Sequence, residues 1–142
     1  MRERLSLMLA ALWWGSATAV GAWVVPQLFM HLGAPAVAGA MAARLFATQT
    51  WVALVCGLLM LLVLRRHQDA REPESLRAVP QGWILAGMLA AAVMTWGVSP
   101  RILAREQLAL WHSVGTALYA VQWFAAGLTL WRVGRVSPVN VS

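Results

Sequence analysis

The residues of this 142-residue chain that could do chemistry gather near the ends of apolar stretches rather than in any catalytic motif. After Leu108, the residues His112, Thr116, Tyr119 and Gln122 follow at spacings of four, three and three, which puts them on roughly one face of a helix. An imidazole at the head of such a stripe could hold a metal or respond to pH. His31, Arg44, Arg101, Arg105 and Glu106 join it on one side if the apolar stretches cross a membrane. Three chemistries compete for this cluster. The plainest is an interfacial polar cap, whose long side chains reach headgroups or carbonyls. A metal site, most suited to copper, would use His31, His112 and Met30 or Met41. A haem held between His31 and His112 would meet arginines with its propionates. No Ser/His/Asp set, paired intramembrane carboxylates or Gly-rich phosphate loop is present, so no catalytic residue, assigned metal ligand or resident cofactor is expected.

Four stretches must position that cluster: about 5–29, 46–64, 83–98 and 108–131, none of which contains Asp, Glu, Lys or Arg. Crossing a hydrocarbon core about 30 Å thick takes roughly 20 helical residues, and the stretches are too continuously apolar for alternating barrel strands. Hydrophobic residues make up 61% and charged residues 11%, too little polar surface to cover a water-soluble globule. The prediction is a single all-α domain over residues 1–142, an integral membrane four-helix bundle embedded in the lipid bilayer. The first stretch resembles a signal peptide, with Ala17-Thr18-Ala19 imitating a cleavage site, but it stays apolar through Phe29 and is expected to be retained. All eleven basic residues are arginines scattered at stretch ends, which argues topology rather than nucleic-acid binding. Cys56 is the lone cysteine, so no internal disulfide can form.

Arginine asymmetry orients the chain. Arg2, Arg4, Arg65, Arg66, Arg71, Arg77, Arg132 and Arg135 fall on one side, and Arg44, Arg101 and Arg105 on the other. The richer side is cytoplasmic, so both termini and the polar 65–80 loop are expected there, in a bacterial inner membrane crossed several times. Pro35 suits a helix start, extending the second helix outward through small residues. The Ser99-Pro100 pair fits either a stop or a new N-cap. Small residues four apart (Ala11, Gly15, Ala19; Ala53, Gly57; Ala86, Ala90; Gly87, Ala91) are the expected helix seams. Trp13, Trp14, Trp83, Trp111 and Trp131 are expected among headgroups, with Trp23, Trp51, Trp96 and Trp123 filling space deeper.

Trp14-Gly15, then Pro26-Gln27-Leu28-Phe29, Ala38-Gly39 and Arg44-Leu45-Phe46 resemble the first half of the transmembrane protein 205-like family, catalogued in bacteria as a domain of unknown function (4149). Pro100-Arg101-Ile102 and His112 resemble its second half, although the connection before the histidine is shorter here. The resemblance implies a four-helix membrane protein without established catalytic residues, whose animal relatives are associated with platinum-drug resistance and export. Pro26, Phe29, Arg44, Phe46, Pro100, Arg101 and His112 are its motif positions. The functional expectation is an uncharacterised, non-enzymatic membrane accessory or small-molecule or metal-handling factor, with a homo-oligomer or membrane-protein partner supplying further walls. The alternative is a redox protein binding haem or copper at the outer face.

Overall fold

Hydrocarbon cannot hydrogen-bond a peptide group, so a chain this apolar must satisfy its backbone within its own segments, as helices do. The computed structural model describes residues 2–65 and 74–136, which are almost entirely helical and contain no strand. Helix α1 (Arg2–Thr18) runs through a π-helical turn (Ala19–Val24) into α2 (Val25–His31). After a short connection, α3 spans Pro35–Arg65. Helix α4 (Glu74–Ala92) passes through a second π-helical turn (Val93–Val98) into α5 (Ser99–Leu103), and α6 spans Leu108–Val136. The helices close a ring in which α1 and α4 each pack against both α3 and α6.

Three helical stretches are long and apolar enough to cross a membrane: Arg4–His31, Pro35–Leu64 and Gln81–Leu103. The fourth expected span, about 108–131, is not among them, although α6 is of comparable length. His112, Thr116, Tyr119 and Gln122 dilute its apolar character. The expected second span proves to be the inner part of a longer helix that starts at Pro35, as that residue's fit to a first turn suggested. The polar 65–80 loop is shorter than expected, because α4 already begins at Glu74; Arg66, Arg71 and the rest of 66–73 lie outside the described residues.

Packing is tight at the end that carries the termini. Ala10, Trp13, Ala53, Cys56, Met60, Ile84, Ala91 and Ala126 form the buried core. Trp13 is fully buried against Gly87, where an added Cβ would lie 2.7 Å from the indole. Ala53, Gly57, Gly87 and Ala91 are thus at seams as expected, whereas Ala11, Gly15 and Ala19 are exposed. On α1 the buried face is Ser6, Ala10, Trp13 and Ala17 instead. Alanine surrounds this helix, so small-residue spacing alone does not fix which face turns inward. The tryptophans depart similarly: Trp13 is core, while Trp23, Trp51 and Trp96 face outward.

Beyond this core lies a hydrogen-bonded polar layer. Gln49 Nε2 donates to Ser16 Oγ at 3.0 Å, and Thr50 Oγ1 sits 2.6 Å from Thr95 Oγ1. Both π-helical turns end two residues before a proline, Pro26 or Pro100. Proline has no N–H and its ring clashes with the carbonyl four residues back, so a widened turn accommodates it. Val25 N–H accordingly reaches the Val20 carbonyl and Ser99 N–H the Met94 carbonyl. Ser99 Oγ also donates to Met94 O at 3.0 Å, so it continues the helix rather than capping a new one.

Candidate functional site

The widened turns, together with the small residues of α3, leave the far end of the helix ring unfilled. A cavity of about 750 Å³ opens there, beside the connections 32–34 and 104–107. Small residues on α3, including Gly39, Ala40 and Ala43, form one wall. Phe29, Phe46, Met94 and Ile102 supply larger apolar surface, and His112, Thr116 and Tyr119 present the polar edge of α6. Gln122 continues the α6 stripe one turn deeper, where it is buried. Three of these four residues thus line one cavity, and Gln122 does not.

Arg105 lines the same cavity and, among the described residues, is the only Arg to do so. Its position follows from the turn that ends α5. Glu106 N–H bonds the Arg101 carbonyl and Arg105 N–H bonds the Ile102 carbonyl, both at 3.1 Å. This is a Schellman arrangement, whose left-handed position normally falls to glycine. Here Arg105 occupies it with φ 58°, and Gln107 follows at φ 37°. A non-glycine residue in this region costs on the order of 1 kcal/mol or more. The turn carries that cost and places Arg105 at the cavity lining.

The other expected members of the cluster are placed elsewhere. His31 is exposed, bonds Gln27 Oε1 at 2.9 Å and does not line the cavity with His112. Arg44 is likewise exposed and off the lining, as is Glu106. Arg101 stacks on Trp111, its guanidinium carbon 4.3 Å from the ring centroid, which anchors the turn to α6. Of the motif positions, Phe29, Phe46 and His112 line the cavity, while Pro26 and Pro100 follow the widened turns. Among the described residues, no three His, Cys, Asp or Glu side chains come together as a metal site would need.

Gly21, which packs against Tyr119, is the residue that motif reading missed. Tyr119 donates from its hydroxyl to the Ala17 carbonyl at 2.7 Å, and its ring packs edge-on against Phe46 at 5.0 Å. The ring lies so close to Gly21 that an added Cβ there would overlap it. Only glycine permits this approach. A second cavity of about 290 Å³ adjoins the first, bordered by Ala17, Ala22, Ala120 and Trp123. It shares Gly21, Thr116 and Tyr119 with the first.

Residues 8–109 match the family described as Domain of unknown function (DUF4149). The matched region includes Pro26, Phe29, Arg44, Phe46, Pro100, Arg101 and Arg105 but ends before His112. No curated protein and no solved structure matches the chain.

Proposed function

The chain belongs to the family described as Domain of unknown function (DUF4149), and from that premise we propose that it is a non-enzymatic membrane protein that binds a small molecule at the far-end cavity. The observation that carries this reading is a pocket of about 750 Å³ with apolar walls and a few polar side chains on one side. Ligand sites commonly have this size and this mixture. The same proposal includes α6 as a fourth span, both termini cytoplasmic and the cavity facing outward across a bacterial inner membrane. The arginine asymmetry supports that orientation. Three spans and a fourth, more polar helix are what a ligand-holding ring of helices requires, because the wall facing the ligand must carry polar atoms. The same proposal takes in kinship with transmembrane protein 205-like proteins, carried by the resemblance at Pro26-Gln27-Leu28-Phe29 and Arg44-Leu45-Phe46. His31 and His112 do not share the cavity, so the geometry favours a small-molecule ligand over a haem between them.

Gly39 provides the test. An added Cβ there meets nothing within 4 Å, so a larger side chain can grow into the cavity without displacing a neighbour. A thermal-shift screen of small molecules on the purified protein in detergent should yield hits that stabilise the wild type. Gly39→Phe should keep the unliganded melting temperature within a few degrees and lose those shifts. Hits that shift both proteins equally would place binding elsewhere and refute the reading.

A further inference from the structure

We propose that the ligand is a single-chain amphiphile with an anionic head, held by Arg105 and with its tail directed past Tyr119; this rests on the small-molecule reading above. The charge of the lining specifies the head. Among the described residues, Arg105 is the single arginine of the lining, and no Asp or Glu lines the cavity beside it. His112 also lines the cavity and its ring N–H can donate to an oxyanion, whereas the Thr116 hydroxyl already donates to the His112 carbonyl at 2.9 Å. Arg105 is exposed at the cavity mouth, and a guanidinium presents a planar fork of donors that matches a carboxylate or a phosphate.

The two cavities specify the tail. They meet at Gly21, Thr116 and Tyr119, and the smaller one has a mostly apolar lining that includes exposed positions on both the first π-helical turn and α6. An extended chain can occupy two chambers in line, whereas a compact ring system fills only one. Tyr119 is the partition between them. One hydrogen bond to Ala17 O and an edge contact with Phe46 hold its ring, so rotation of the side chain would join the chambers. The smaller chamber lies between α1 and α6, which gives an amphiphile already dissolved in the bilayer a lateral route. Each methylene moved from water to an apolar site should tighten binding about fourfold, counted against the aqueous concentration of the amphiphile, so chain length should govern affinity strongly.

The experiment is competition against a fluorescent dodecanoate on the full chain in nanodiscs of zwitterionic phospholipid. Dodecanoate or dodecyl phosphate should compete at least about tenfold better than dodecanol, the margin of one charge-assisted hydrogen bond. The two anions distinguish a fatty-acid-type head from a phosphate-type head, and preference for either supports the proposal. Arg105→Asn keeps a residue that tolerates the left-handed backbone and should erase the margin, whereas Arg105→Lys should restore most of it. Equal competition by dodecanol, an unchanged margin in Arg105→Asn, or butyrate competing as well as dodecanoate would overturn the proposal. If amphiphiles fail while other small molecules still bind in a manner sensitive to Gly39→Phe, only this inference falls. If nothing binds the wild type, the small-molecule reading falls with it.

Discussion

Gly87→Val is expected to destabilise the protein by about 3 kcal/mol, the upper end of the usual cost of overpacking. The new Cβ would stand 2.7 Å from Trp13 Cη2, 2.8 Å from Trp13 Cζ2 and 3.1 Å from Ala125 Cβ. Trp13 is fully buried and its rigid bicycle has no room to retreat. Lipid tails give helices no hydrophobic reason to associate, so close packing of this kind must hold them together. Gly15→Val is the matched control, since nothing lies within 4 Å of its added Cβ, and it should be nearly neutral. Denaturation in mixed micelles would measure both. Trp13→Leu placed on the Gly87→Val background should recover part of the loss, because the two residues are in direct contact. Equal stability of the two valine variants would show that Trp13 and Gly87 do not meet.

Gln122→Leu should have the opposite sign, raising stability by about 1 kcal/mol or more. Gln122 is 2% exposed, and its Nε2 finds no partner among the described residues. An unsatisfied buried amide costs about 1–3 kcal/mol, and an apolar side chain of similar volume removes that cost. Gln49→Leu gives the contrast. Its amide donates to Ser16 Oγ, and losing one such bond between membrane helices costs on average about 0.6 kcal/mol. The same micelle denaturation reads both variants. A stability loss in Gln122→Leu as large as that in Gln49→Leu would mean that the Gln122 amide has a partner of its own.

Membrane character and helical class were legible in the uncharged stretches, because hydrocarbon leaves the backbone few solutions. The extended start of α3 was legible too, through Pro35. The phase of α1 was not, since Ala11, Gly15 and Ala19 look like a seam while Ala10, Trp13 and Ala17 form one. Trp13 shows why: a large side chain buried against a glycine leaves no spacing signature. For the site, the α6 stripe of His112, Thr116 and Tyr119 could be read from period alone. The separation of His31 and Arg44 from that stripe could not, because sharing a side of the membrane does not imply sharing a cavity. Gly21 had a faint signal as a glycine inside an apolar helix, but its reason lies about a hundred residues away in Tyr119.

The most direct measurement is labelling of single cysteines in intact bacterial cells by a membrane-impermeant thiol reagent. Cys56, the native thiol, is buried at 3% exposure and would be replaced by alanine for the purpose. Glu106→Cys, on the turn beside the cavity, should label from outside, whereas Ser142→Cys at the C-terminus should label only after the membrane is permeabilised. Labelling of the C-terminal position in intact cells, with Glu106→Cys silent until lysis, would contradict the account.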